Sequence, residues 1–275
     1  MLEIKTVKKG AELVSIKTDD GIEKMHNGES FWNRHSPVLF PIVGKLKDGK
    51  TIIDGNEYEM GQHGFARDMD FEEIGENSYV LKSNKETKTK YPYDFELYIS
   101  YEVNKDKVTT KYKVINKDSK TIYFGLGGHP AYACEYSSGK YRLEFEDIED
   151  RLEIYQLEDG LLKKKPEKLS KYFRENRIFL DAKTFEKDAL IIKNINSSKV
   201  YLKTETKTVF AFEFKGFPFL GVWSKPGAPF VCIEPWQNHT DDVDASGNFV
   251  DKENILKLEP NEEFVAEYSV EFFDI

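Results

Sequence analysis

The chain has 275 residues, 39% of them hydrophobic and 14% aromatic, with a formal net charge of -9. That length and apolar content can fill the core of one large β domain or two small ones, and the acidic balance disfavours nucleic acid or an anionic membrane as partner, since both require clustered Lys and Arg. No run of about 18 apolar residues occurs, and the opening MLEIKTVKKG lacks the apolar stretch and small-residue cleavage site of a signal peptide, so a soluble, cytoplasmic protein is expected.

Taken in chain order, the sequence is punctuated by turn signals and filled with period-two segments. DDG (19–21), KDGK (47–50) and IDGNEY (53–58) mark turns in the first quarter. KVTTKYKVIN (107–116) alternates apolar and polar residues as a half-buried antiparallel strand does, and so does YRLEFEDI (141–148) after the SSGK turn at 137–140. EDG (158–160) is a further turn, and the lysines of KKKPEK (163–168) read as a solvated loop. Helix is expected only over PEKLSKYFREN (166–176) and for one or two turns of DAKTFEKD (181–188). Strands return at 199–206, 208–214 and, after the KPGAP turn at 225–229, at 263–273. There is no repeat, low-complexity linker or break in composition, so the expectation is a single all-β domain over residues 1–275, a sandwich or barrel with a few short helices. Cys134 and Cys232 are too few for a disulfide framework, and their apolar surroundings suit reduced, buried thiols.

Three interruptions of the strand pattern concentrate chemistry, as loops and strand ends do. In GLGGHPAY (125–132), Gly127 and Gly128 leave space beside the chain, and Pro130 pushes His129 toward an extended conformation. In GQHGFARD (61–68), His63, Phe65 and Arg67 share one parity, so an extended segment would show all three on one face. In VCIEPWQN (231–238), Glu234 follows an apolar strand, where a carboxylate is costly unless it is paired or used. Trp236 offers a flat face for a pyranose ring or for the core. Each has a plainer reading: a histidine bonded to a neighbouring strand, a turn in which Arg67 pairs with Asp68 or Asp70, and a carboxylate held by backbone amides.

Two imidazoles and a buried carboxylate suggest general acid and base near neutral pH. Metal-binding motifs such as H-E-x-x-H do not occur, though the separation of His63, His129 and Glu234 in sequence leaves coordination open. Neither G-x-S-x-G nor a phosphate-loop or dinucleotide fingerprint is present, so no cofactor is implied. The expected partner is one small, largely neutral molecule.

GAELVSI (10–16), FWNRHSPVLFPIVGKLKDG (31–49), QHGFARD (62–68), FGLGGHPAY (124–132), KDALIIKN (187–194) and CIEPWQN (232–238) resemble, in that order, the aldose 1-epimerase (galactose mutarotase) superfamily, and its LacX-like branch in particular. The resemblance implies a galactose mutarotase-like β-sandwich (supersandwich) and interconversion of the anomers of an aldose, with or without a phosphate. It implies Glu234 as general base and His129 as general acid, with His63 and Asp188 holding the sugar. Two positions depart from the family pattern: GGHPAY stands where galactose mutarotases proper have a His followed by a Tyr-containing stretch, and Lys45 replaces an arginine, which loses the planar fork for bidentate contact. Arg67 has a counterpart in hexose-6-phosphate epimerases, so Arg34, Lys45 and Arg67 are a candidate phosphate cluster. A sugar-binding module without turnover and a glycoside hydrolase using Glu234 and Asp188 are the alternatives. The protein is expected to be a monomer or homodimer.

Overall fold

The computed structural model describes residues 2–273. The strand Phe230–Trp236 sets its plan, because all seven residues are buried and they divide by parity. Val231 and Ile233 enter the main core, whereas Phe230, Cys232 and Trp236 pack into two smaller apolar clusters. Successive side chains of a strand point to opposite faces, so Glu234 lies on the face that looks away from the main core. Its neighbours keep the same division. Leu220 and Val222 of Phe219–Trp223, and Leu190 and Ile192 of Leu190–Lys193, join the main core, while Phe219 and Ile191 do not.

These strands belong to a seven-stranded antiparallel sheet in the order Glu153–Tyr155, Leu190–Lys193, Phe219–Trp223, Phe230–Trp236, Gly127–Gly128 and Val38–Leu39, with Ala131–Ala133 also paired to Phe230–Trp236. A second antiparallel sheet of ten strands has Glu263–Phe272, Lys107–Asn116 and Phe95–Asn104 side by side at its centre. Phe95, Leu97, Ile99, Val108, Tyr112, Val114, Tyr268 and Val270 from this sheet share the main core with Val231 and Ile233, so that core fills the space between the sheets.

Both expected helices are corrected by the structure. Within 166–176 there is one 3₁₀ turn, Leu169–Lys171, and then a hairpin in which Phe173 pairs with Ile178 and Arg174 with Arg177. Glu175 and Asn176 form its two-residue turn with φ of 52° and 61°, and Phe173 packs on Phe145 at 5.8 Å. Cross-strand aromatic and β-branched packing outweighs weak helix propensity here. Residues 181–188 form turns: the Thr184 hydroxyl accepts from the Asp181 N–H, and Asp181 Oδ1 accepts from the Lys183 N–H. Among the described residues the α-helical turn is Lys85–Lys88, capped by Asn84 and Thr87. No helix among them is long and apolar enough to cross a membrane.

The segment after the Glu234 strand is pinned to the loop before residue 50. Asp241 Oδ2 accepts from the Lys47 N–H at 2.9 Å, and the Asp241 N–H donates to Lys45 O at 2.9 Å. Its other carboxylate oxygen is paired with Lys252, both side chains being almost fully buried. Thr240 Oγ1 accepts from the Lys45 N–H at 2.9 Å. These bonds tie the segment that follows the Glu234 strand to the loop carrying Gly44.

Candidate active site

Glu234 sits opposite Gly221 in register, and Trp236 opposite Gly127. A Cβ on Gly127 or Gly221 would come within 2.8 or 2.7 Å of the Trp236 indole, so both positions must be bare for that ring to lie against the sheet. The indole N–H is directed toward the Glu234 carboxyl and partly holds its pKa down, without completing a hydrogen bond of ordinary geometry. Trp236 therefore packs on glycines and orients the carboxyl, and its broad face is not free. The space beside Gly128 is likewise taken by the rings of Tyr268 and Tyr112. Gly127 and Gly128 do leave space beside the chain, and protein side chains fill it.

His129 projects over the same face, its backbone N–H donating to Pro37 O at 3.1 Å. Its Nε2 lies 3.2 Å from Glu234 Oε2. The imidazole is boxed by Trp32 at 4.8 Å, Trp223 at 5.6 Å and, edge-on, His63 at 5.4 Å between ring centroids. His63 has φ 66° and is held twice by Gly44: its N–H donates to Gly44 O at 2.7 Å, and its Nδ1 accepts from the Gly44 N–H at 3.0 Å. An accepting Nδ1 leaves the proton on Nε2, so His63 is a fixed hydrogen-bond donor. Asp188 enters the site with φ 130°, its Oδ1 accepting from the Ala189 N–H at 2.8 Å. Strained backbone at two site residues fits a functional constraint.

These groups surround a cavity of ≈ 380 Å³ lined by His63, His129, Asp188, Glu234, Trp32 and Trp223, with Arg34 and Arg67 on its wall. That is the small end of the ligand-pocket range of roughly 300–1,000 Å³. Arg67 donates to Gln62 O at 2.7 Å and Arg34 to Asp68 Oδ1 at 2.8 Å. Burial, with Arg34 nearby, lowers the Arg67 guanidinium to about 10. Four buried polar atoms of cavity residues, His129 Nδ1, Glu234 Oε2, Trp236 Nε1 and Arg67 Nε, make no hydrogen bond of ordinary geometry with the protein. Buried polar groups ordinarily have partners, so these atoms are available to a polar ligand.

Burial pushes the Glu234 carboxyl well above its ordinary value, the Asp188 charge adding to the effect. Burial also pulls His129 down to about 3; a backbone hydrogen bond opposes this, and the Arg67 and Arg34 charges reinforce it. His63 is held well below its usual range, first by burial and then by His129, Arg67 and Arg34. Both shifts disfavour the charged form of each partner, and the neutral pair and the ion pair differ only by transfer of a proton between His129 Nε2 and Glu234 Oε2, which lie 3.2 Å apart. A depressed histidine makes stability rise with pH up to 6.5, and a raised carboxyl makes it fall with pH above 4.5. Between those values the two effects have opposite sign and offset one another. Urea unfolding should therefore show the pair's contribution level between 4.5 and 6.5 and declining on both sides, by up to about 1.4 kcal/mol per pH unit. The double variant Glu234→Gln, His129→Asn should lack both declines; if its profile matches the wild type's, the pair does not titrate in this way.

The structure brings together His63, Arg67, His129, Asp188, Glu234 and Trp236. Two expected contacts are corrected. Phe65 turns into the main core against Phe40 and Phe95, because left-handed His63 and Gly64 and the 3₁₀ turn Ala66–Asp68 break the alternation on which its exposure was predicted. Lys45 lies outside the cavity in an adjoining groove shared with Gln62 and Asp188, its Nζ donating to Asp159 O at 3.0 Å. Trp32 and Trp223 were not singled out from the sequence, since a lone tryptophan in a loop and one at a strand end read equally well as packing. Cys232 was read there only as a buried thiol; its ligand atom and those of His129 and Glu234 lie within 4.8 Å of one another.

Two packed antiparallel sheets, with a buried histidine–glutamate pair on the face of the seven-stranded sheet that looks away from the main core, form a galactose mutarotase-like fold. The sequence model of aldose 1-epimerases matches residues 1–257, and the chain belongs to that family. It is 31% identical to the plasmid-borne protein LacX of Lactococcus lactis subsp. lactis over 281 residues, covering 95% of this chain and 93% of that protein. A galactose mutarotase related enzyme from Lactobacillus acidophilus superposes with a TM-score of 0.90 at 31% identity, over 100% of this chain and 95% of that one. A galactose mutarotase-like protein from Lactobacillus casei superposes with a TM-score of 0.89 at 26% identity, over 99% and 97% of the two chains.

Proposed function

We propose that the protein is a cytoplasmic isomerase that interconverts the α and β anomers of an aldose. The observation that carries this reading is the 3.2 Å contact between His129 Nε2 and Glu234 Oε2 at the cavity wall. The two oxygens that exchange protons in mutarotation, the anomeric hydroxyl and the ring oxygen, are bonded to the same carbon. Acid and base must therefore stand side by side. A glycosidase instead sets two carboxyl groups on either side of the bond it cleaves.

With the shared proton on His129, the Glu234 carboxylate takes the proton of the anomeric hydroxyl. The C1 to ring-oxygen bond breaks, its electron pair stays on the ring oxygen, and that oxygen takes the His129 proton while C1 becomes an aldehyde carbon. The pair is now a neutral carboxylic acid and a neutral imidazole. After rotation about C1–C2 the ring oxygen adds to the other face, His129 recovers the proton, and Glu234 returns one to the anomeric oxygen. The number of protons on the pair never changes, which suits a dry site where net charge is costly. His63 Nε2–H donates to a sugar oxygen, Asp188 accepts from hydroxyls, and the half-buried Trp32 and Trp223 supply apolar faces for the ring. Exchange spectroscopy on the anomeric protons of an equilibrated aldose tests this: cross-peaks between anomers should grow with protein concentration, and their absence would count against turnover.

Arg34 and Arg67 on the wall favour a second reading, an aldose carrying a phosphate. On that reading Arg67→Met lowers kcat/KM for a hexose 6-phosphate by at least about tenfold, the value of one charge-assisted hydrogen bond, and spares the free hexose. Equal losses on both substrates would reject it.

A further inference from the structure

We propose that Cys232, His129 and Glu234 form a binding site for a borderline-soft divalent cation, of which Zn²⁺ is the type, and that occupancy of this site blocks the sugar pocket. The site requires no turnover by the protein, so it goes beyond the anomerase reading.

Cys232 precedes Glu234 by two residues on one strand, which puts both side chains on one face. It lies opposite Ala131 in register, two residues after His129. The strand pairing thus converges a thiol, an imidazole and a carboxyl, all buried, with ligand atoms within 4.8 Å of one another. Sulfur, nitrogen and oxygen donors in one cluster are the set zinc takes, and the sulfur selects against Mg²⁺ and Ca²⁺. Tetrahedral coordination at ordinary zinc bond lengths puts donors roughly 3.3–3.6 Å apart. The histidine–carboxyl edge already measures 3.2 Å, so the thiol has only about 1 Å to close. Glu234 Oε2 has no hydrogen bond to give up. His129 and Glu234 line the cavity, which leaves the fourth position facing it for water.

Binding displaces the thiol proton, and the thiolate and carboxylate together match the two charges of Zn²⁺, with the imidazole as a neutral donor. The same event takes away the groups that would act on a sugar, so cation and sugar compete.

The test uses the full-length reduced protein and the metals alone. Titration calorimetry with Zn²⁺ should show one site, weakened in Cys232→Ser by more than about tenfold, which is the least that losing even an outer-shell partner costs. Cys134→Ser, whose thiol is outside the cluster, should bind as wild type does. Co²⁺ added to the wild type should give near-ultraviolet thiolate charge-transfer absorption that Zn²⁺ abolishes, a readout independent of whether Cys232→Ser folds. Absence of that absorption, or Zn²⁺ affinity equal in Cys232→Ser and wild type, overturns the proposal. Because neither readout involves a sugar, failure here is distinguishable from failure of the anomerase reading.

Discussion

Glu234→Gln is expected to slow anomer interconversion by about 10²–10⁴-fold, the usual worth of a positioned proton-transfer group. The amide matches the carboxyl in size but cannot take the anomeric proton. Because the carboxyl is buried and already pushed toward its neutral form, the amide should fit without loss of stability. The fall should therefore appear in kcat, with KM and the circular dichroism spectrum little changed. His129→Asn is expected to fall by a similar factor. The double variant should be hardly slower than either single one, since acid and base act as one unit on one shared proton. Single-variant rates within about threefold of wild type would remove both residues from the chemistry.

Lys252→Met is expected to cost about 3–5 kcal/mol of folding stability, the range for breaking a buried ion pair from one side. The Lys252 and Asp241 side chains are 5% and 4% exposed, so solvent cannot take over the stranded carboxylate. Asp241 would keep its bond from the Lys47 N–H, but that amide does not balance a full charge. Adding Asp241→Asn should recover most of the loss, because the desolvated charge is then gone. Urea unfolding of the two variants measures both quantities. A loss under about 1 kcal/mol in Lys252→Met would mean that water reaches the pair.

The sequence was most legible where one face of a strand meets solvent. Residues 107–116 and 263–273 alternate cleanly, and they fold as Lys107–Asn116 and Glu263–Phe272. The sheet that carries the site was harder to see, because Leu190–Lys193, Phe219–Trp223 and Phe230–Trp236 are covered on both faces and do not alternate. Both expected helices failed because the packing of Phe173 on Phe145 and of Phe185 on Tyr136 is a tertiary effect. Of the site, His63, His129 and Glu234 were marked by glycine, proline or an apolar strand beside them and Asp188 only by the family resemblance, and the cavity holds all four. Phe65 was misplaced because parity fails where His63 and Gly64 adopt positive φ. The half-buried Trp32 and Trp223 left no local signal.

The most direct test of the account is polarimetry of freshly dissolved α-D-glucose, α-D-galactose and α-D-glucose 6-phosphate, with wild type and Glu234→Gln in parallel. The account predicts that wild type hastens the drift of at least one sugar to equilibrium in proportion to enzyme concentration, and that the variant loses this effect. Drift no faster than in buffer for every sugar, or acceleration that Glu234→Gln retains, would contradict it.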